Sequence, residues 1–186
     1  MATVKTASRK VTFTELQGWP ENGRRYELYD GEVYEVPAPF PRHQIALLEL
    51  LYRLRDYALA HGGLVLASPI DIVFTEENVL QPDIVFFVAS RRQHVRLDQV
   101  TRVPPDVAVE VISPSNAAND RGRKMETFER FGVQECWILD PRIERIEIYA
   151  LRDGRYAMTA SAGRGETFAS DVLTGFTCAA DTLFPW

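Results

Sequence analysis

Two carboxylates stand where the neighbouring sequence predicts burial. Glu110 interrupts the apolar run at residues 107–112, which is typical of a strand covered on both faces of a sheet. Asp83 stands at the entry to a second apolar run, residues 84–88. An ionised carboxylate removed from water costs several kcal/mol unless it is paired, hydrogen-bonded or bound to a cation. Each of these residues therefore needs a partner.

A lysine is predicted to reach the same region. Lys124, Phe128 and Phe131 recur at helical spacing, which puts the ammonium on the helix face that packs against the sheet. Two carboxylates and an ammonium suit phosphodiester hydrolysis. The carboxylates would bind Mg²⁺ or Mn²⁺, and the lysine would position the attacking water or stabilise negative charge in the transition state. Asp83, Glu110 and Lys124 are therefore candidate catalytic residues, the first two as metal ligands.

Each of these residues also has an interpretation without catalysis. Glu110 and Lys124 could form a structural ion pair between a sheet and a helix. Asp83 follows Pro82 and could be only a turn residue. Lys124 could pair with Asp120, one helical turn earlier. The residues alone leave these alternatives open.

Three further charged residues are weaker candidates. Arg121 and Arg123 lie in the first turn of the same predicted helix, where the helix dipole disfavours cations. Nearby carboxylates or a phosphate would offset this, so both arginines are candidate contacts to nucleic acid. Glu27 lies inside a predicted hairpin, and its position favours a solvent-facing side chain.

Other chemistries lack their sequence motifs. The histidines, His43, His61 and His94, show no HExxH spacing. Cys136 and Cys178 are far apart and belong to no CxxC, so we expect buried free thiols rather than a zinc site or disulfide. The sequence contains neither a GxSxG motif nor a glycine-rich phosphate loop.

The first half of the sequence predicts a hairpin and a long helix. Asp30-Gly31 suits a tight turn between strands at residues 25–29 and 32–36. The helix should occupy residues 41–61, with Gly62 at its end. Two apolar stripes predict that it is buried on a wide face: Ile45, Leu48, Tyr52 and Leu59 form one, and Leu47, Leu51, Leu54 and Ala58 form the other.

The remaining elements alternate between strands and helices. We expect strands at residues 64–67, 70–74, 84–88, 107–112 and 134–139, a helix at 120–131 with Asp120 as its N-cap, and a hairpin at 145–159. This order predicts an α/β or α+β fold with a mixed sheet flanked by helices.

Composition is that of an ordinary globular protein. The 186 residues, 46% hydrophobic and 25% charged, fit one domain over residues 1–186 with a flexible segment at 1–10. A net charge of −5 argues against a broad basic face that coats nucleic acid. No apolar run approaches the length of a membrane span, so we expect a cytoplasmic protein.

Several motifs, in order, cover most of the chain and carry a family resemblance. They are residues 26–32 (YELYDGE), 41–44 (PRHQ), 81–83 (QPD), 109–115 (VEVISPS), 121–124 (RGRK) and 132–141 (GVQECWILDP). With these motifs the chain resembles the Uma-type family of restriction endonucleases, a branch of the PD-(D/E)XK nuclease superfamily. The resemblance implies a restriction-endonuclease-like mixed β-sheet core flanked by helices, with β-hairpins at the N-terminal side and towards the C-terminus.

The resemblance also implies roles for individual residues. Asp83 matches the Asp of the superfamily's Pro-Asp pair and Glu110 its second acidic residue, both metal ligands. The superfamily's lysine usually lies two residues after that acid, where this sequence has Ile112. Lys124 matches a lysine that has moved to the following helix in this branch. Glu27 resembles an acidic position that assists the metal site, and His43 is a further supporting candidate.

We therefore expect an Mg²⁺- or Mn²⁺-dependent enzyme that hydrolyses DNA phosphodiester bonds. The alternative is a catalytically inactive member of the fold that acts as a binding or oligomerisation module. A homodimer is expected if two cuts require two sites, and the apolar C-terminal residues 183–186 could contribute to its contact.

Overall fold

Twelve strands form three sheets in the part of the chain that the structure, a computed structural model, describes: residues 9–113 and 120–186. The strands are β1 (Arg25–Tyr29), β2 (Glu32–Val36), β3 (Leu64–Ala67), β4 (Ile72–Thr75), β5 (Asn78–Leu80), β6 (Ile84–Phe87), β7 (Val107–Val111), β8 (Glu135–Asp140), β9 (Arg145–Arg152), β10 (Arg155–Gly163), β11 (Thr167–Ala169) and β12 (Thr177–Ala179). Residues 1–8 of the predicted flexible segment at 1–10, and residues 114–119, lie outside the described residues.

Helices connect and cover these sheets. They are α1 (Phe13–Gln17), α2 (Pro41–His61), α3 (Ala89–Arg92) and α4 (Met125–Arg130), with a π-helical turn at Asp120–Lys124 and a 3₁₀ turn at Ala180–Leu183. In the described part of the chain, no helix is both long and apolar enough to cross a membrane.

The central sheet has six strands in the order β10-β9-β8-β7-β6-β3. Its middle strands β7 and β8 run parallel, whereas the other neighbours run antiparallel, so the sheet is mixed as predicted. A second sheet, in the order β2-β1-β5-β4, joins the N-terminal hairpin to the strands before β6. The predicted turn residues Asp30 and Gly31 both have positive φ, which the tight hairpin requires.

Side chains alternate between two apolar layers along β7. Val107, Val109 and Val111 pack in the layer that also contains α2 and the C-terminal strands β11 and β12. Ala108 and Ile112 face the opposite layer, where α4 and the four-stranded sheet lie. Glu110 shares this second face by its alternation, so the candidate carboxylate lies between the two sheets.

The prediction that α2 is buried on two stripes is wrong for one of them. Leu47, Leu54 and Ala58 are buried against the central sheet. The stripe of Ile45, Leu48, Tyr52 and Leu59 is 40–70% exposed. One side of α2 meets the sheet while the other faces outward, so the described part of the molecule presents an apolar stripe to solvent.

The C-terminal residues are divided between the core and the surface. Leu183 and Phe184 are fully buried in the chain's own core, and Trp186 is 36% exposed. The guanidinium of Arg42 lies 5.2 Å from the centre of the Trp186 ring. This segment therefore closes the layer over the central sheet.

Candidate active site

Asp83 and Glu110 lie beside each other on neighbouring strands. β6 and β7 pair antiparallel with Ile84 opposite Val109. Extending this register by one residue puts Asp83 opposite Glu110, and directly opposed residues point to the same face. The backbone N–H of Val111 donates to Oδ2 of Asp83 at 2.8 Å. Asp83 is thus tied to the strand that carries Glu110 and is more than a turn residue.

Lys124 brings a cation to Glu110. Its Nζ donates to Oε2 of Glu110 at 2.8 Å and lies 3.1 Å from Oε1 of Glu27. Glu110, Glu27 and Lys124 are 1%, 2% and 3% exposed, respectively. The spacing argument for Lys124 is confirmed, since Phe128 one turn later is also buried. The side chain of Asp120, its other suggested partner, lies outside the described residues.

The predicted solvent-facing position of Glu27 is wrong. β1 lies between β2 and β5, and Glu27 shares a strand face with Tyr29, which packs in the layer between the sheets. The Tyr29 hydroxyl donates to Oε2 of Glu27 at 2.8 Å, and the backbone N–H of Gln81 donates to Oε1 at 2.9 Å. A hairpin pattern alone does not reveal that the central sheet covers this face.

His43 lies next to Asp83. It belongs to the first turn of α2, is 7% exposed, and its Nε2 lies 3.1 Å from Oδ2 of Asp83. The ring can therefore hold the Asp83 carboxylate in one orientation, a role that metal-ligand carboxylates commonly require from a neighbour. The motif at residues 41–44 drew attention to His43, but only the fold reveals its contact.

Arg121 and Arg123 have carboxylate partners within the chain. Arg121 forms an ion pair with Glu147, and Arg123 lies 3.4 Å from Oε2 of Glu32. Partial burial works to lower the pKa of Arg121, but the hydrogen bond and charge of Glu147 outweigh it and raise that pKa. The same carboxylate accepts from Tyr149, whose pKa is raised first by burial and then by Glu147. Carboxylates therefore offset the cations of this turn.

A cleft of about 390 Å³ opens at these residues. Its walls include Arg25, His43, Gln81, Asp83, Glu110 and Lys124. Gln81 belongs to the motif at residues 81–83, but the sequence did not suggest a role for its side chain. Its Oε1 is buried and accepts no hydrogen bond from the described residues, while its Nε2 donates to Asp71 at 2.8 Å. The cleft thus combines carboxylate and amide oxygens with an ammonium.

The donor atoms of the cleft fit one kind of metal site. Asp83, Glu110 and Gln81 provide oxygens, which hard divalent cations prefer. Within residues 9–113 and 120–186, no group of three or more His, Cys, Asp or Glu side chains could hold a metal ion. The residues fit a cation such as Mg²⁺, which usually takes one or two carboxylates and completes its coordination with water and substrate phosphates.

Comparisons with known proteins agree on the fold. A solved structure described as "a putative nuclease belonging to DUF820 from Anabaena variabilis ATCC 29413" matches with a TM-score of 0.76. It is 17% identical in sequence, and the match covers 95% of this chain and 98% of that chain. A search of curated proteins returned no match.

A family model gives the closer assignment. It is the model of Uma2, described as "Putative restriction endonuclease", and it matches residues 13–181. The match includes the strands and helices that carry all the candidate residues, and it agrees with the resemblance carried by the motifs. Because it extends over most of the 186 residues, this chain belongs to the Uma2 family of restriction-endonuclease-like proteins.

Proposed function

We propose that this protein hydrolyses phosphodiester bonds in DNA with the help of Mg²⁺ or Mn²⁺. The observation that supports the proposal is the convergence of Asp83, Glu110 and Lys124 on one cleft, although they are distant in sequence. Family membership points to nucleic acid as the substrate class. The net charge of −5 requires that the phosphate be bound at a local site rather than by a broad basic face.

Asp83 and Glu110 would hold the cation. Their carboxylates lie on one face of adjacent strands, where two like charges repel unless a cation lies between them. When bound, such a cation would acidify a water molecule and polarise the scissile phosphate. His43 would keep Asp83 oriented through the 3.1 Å contact.

Lys124 would act on the phosphate and the attacking water. Its ammonium enters the cleft from the π-helical turn and is held by Glu110. In this position it can orient the water for in-line attack and stabilise the charge that develops on the phosphoryl oxygens. The oxygen of the water bonds to phosphorus, the bond from phosphorus to the leaving oxygen breaks, the water releases one proton to solvent, and the leaving oxygen takes up one proton from solvent. Arg121 and Arg123 flank Lys124 as candidate contacts to neighbouring phosphates.

A specific observation favours a second candidate function. Lys124 lies between two buried carboxylates, Glu27 and Glu110, which is an ion-pair network that a core without catalysis can also contain. A member of the family without catalysis could use this fold for binding or oligomerisation. Titration calorimetry with Mn²⁺ separates the two functions. We expect binding by the wild type and its loss in Asp83→Asn, whereas no binding by the wild type would favour the inactive module.

The catalytic proposal is tested by cleavage of single-stranded and duplex DNA in Mg²⁺ and in Mn²⁺. We expect Asp83→Asn to lower the cleavage rate by roughly 100-fold or more, since even residues that only orient a metal ligand change activity by about 10- to 100-fold. Lys124→Met should also lose activity. Asp98→Asn is the matched control, because that side chain is 76% exposed. Cleavage that persists unchanged in both cleft variants would contradict the assignment.

A homodimer is the second part of the proposal, and the exposed stripe of α2 is its candidate surface. An antiparallel pairing of two copies of α2 about Tyr52 would put Ile45 opposite Leu59 of the second copy. The same pairing would put Glu49 opposite Arg55. This pairing brings apolar residues together at both ends of the stripe, whereas Leu48 meets Asp56 and Glu49 also pairs with Arg53 of its own helix. Exposed apolar patches of this kind mark interaction surfaces.

A further inference from the structure

A second cavity, of about 270 Å³, adjoins the catalytic cleft. Its walls are mostly apolar and include Phe40, Pro41, Ile112 and Pro141. His43 and Ser113 line both the cavity and the cleft, so the two spaces are neighbours. We call this space the Phe40 pocket. Its volume lies just below the range for drug-sized ligands, which suits one ring system rather than a larger molecule.

Phe40 gives the pocket an aromatic wall that the fold itself does not cover. The residue immediately precedes α2 and is 61% exposed. A large aromatic side chain left open beside a polar cleft is suited to stacking on a planar ligand. The ring is thus available to a group that enters together with a bound phosphate.

Two arginines add positive charge to the pocket. Arg42 and Arg142 both line it. The guanidinium of Arg42 lies over the ring of Trp186, and that of Arg142 lies 3.5 Å from Oδ1 of Asp140. Apolar walls with cations suit a ligand that has a flat ring with apolar faces at one end and an anionic group at the other. A nucleotide has this chemistry.

We propose that the Phe40 pocket binds the base of a nucleotide adjacent to the scissile phosphate. Because a base that is paired and stacked in a duplex cannot enter a pocket, the substrate would have an unpaired nucleotide at this position. Such a nucleotide occurs in single-stranded DNA, or where a base has been extruded from a duplex. This inference rests on the proposed function only in taking DNA as the ligand, and it narrows the substrate class to DNA with an unpaired base.

The inference can be tested by binding, without cleavage. The probe is a single-stranded oligodeoxynucleotide containing 2-aminopurine, whose fluorescence falls when its base stacks on an aromatic ring. The measurement uses the full chain carrying Asp83→Asn, so that the strand stays intact. We expect quenching on binding, and its loss when Phe40→Ala is added. Stacking of one base on an aromatic side chain corresponds to a change in Kd of between about 5- and 150-fold, so Phe40→Ala should weaken binding by a factor in this range.

Two further variants control the experiment. Leu97→Ala removes a side chain that is 86% exposed and belongs neither to the pocket nor to the stripe of α2, and it should leave quenching and affinity unchanged. Phe40→Trp keeps an aromatic ring and should restore the quenching. A fully paired duplex with the same probe should bind equally well with and without Phe40→Ala.

The outcomes separate this inference from the proposed function. Equal quenching with Phe40 and with Phe40→Ala, or the same loss of affinity for the paired duplex, would overturn the pocket assignment. A wild-type protein that cleaves no DNA would overturn the proposed function. Quenching that depends on Phe40 would still establish the base pocket in that case.

Discussion

The candidate site depends on contacts that individual residues make across the two sheets. Glu110 was expected to need a partner, and it has Lys124 at 2.8 Å. Glu27 adds a second carboxylate, 3.1 Å from the same ammonium. Position along the chain does not reveal this triad, because its members come from β1, β7 and the turn before α4. The pair that the sequence suggested is therefore a group of three.

Because Glu27 is the third member of the triad, replacing only Glu110 and Lys124 should not leave the stability of the fold unchanged. Lys124→Met should destabilise the fold by about 3–5 kcal/mol, because it leaves the carboxylates of Glu27 and Glu110 buried without this cation. Lys124→Met with Glu110→Gln should recover only part of the loss, since Glu27 stays charged. Adding Glu27→Gln should recover most of it. Urea unfolding at neutral pH measures the series. A triple variant as unstable as the single one would show that the triad does not govern stability.

The strands of the central sheet position the site, and the C-terminal segment stabilises one of these strands, β8. Glu135 begins β8, the strand that pairs with β7, and it is fully buried. Its carboxylate accepts from Trp137 Nε1 at 2.8 Å, Ser170 Oγ at 2.7 Å and the backbone N–H of Asp171 at 2.8 Å. A buried carboxylate with several donors fixes the loop after β11 against the central sheet.

Removing that carboxylate should loosen the C-terminal segment. Glu135→Ala leaves buried donors without an acceptor, and breaking a buried charged network of this kind costs about 3–5 kcal/mol. We expect a lower Tm and faster amide exchange in residues 168–186, measured by hydrogen exchange. Glu126→Ala on the exposed face of α4 is the control and should change neither. Unchanged exchange in Glu135→Ala would contradict this role.

At the scale of the molecule, the two sheets and α2 divide the surface into a cleft side and a stripe side. His43 at the start of α2 faces the cleft, whereas Tyr52 in its middle is 63% exposed. One helix thus connects the candidate site with the candidate dimer surface. A dimer formed through α2 would set the separation between two clefts.

The dimer makes a direct prediction for size in solution. The wild type should sediment as a two-chain species. Tyr52→Glu should sediment as one chain, because it puts two carboxylates together at the two-fold axis. Leu97→Glu is the matched control, since Leu97 is 86% exposed but lies outside α2. Sedimentation velocity over a range of concentrations measures the change. A wild type that stays a single chain at all of them would rule out the proposed dimer.

The sequence by itself determined most of the elements and the main charged residues of the cleft, but it did not predict β5 or the π-helical turn at Asp120–Lys124, where it predicted a helix over 120–131. Strand alternation placed Glu110 at a covered position, and helical spacing turned Lys124 toward the sheet, because both patterns are local and have a fixed period. Asp30-Gly31 predicted the first hairpin because the preference of these residues for a tight turn is also local. Asp83 stood out as a charge at the entry to an apolar run, and the family motifs then supported its assignment as a metal ligand.

Only the tertiary structure decided which faces are covered and which residues meet. It buried Glu27 by packing the sheet that contains the hairpin against the central sheet, and it exposed the stripe of α2 that periodicity alone would bury. It also joined His43 to Asp83 and assembled the Phe40 pocket from segments around residues 40, 112 and 141. Such contacts depend on how layers pack, and periodicity along one element carries no information about the layer that covers it.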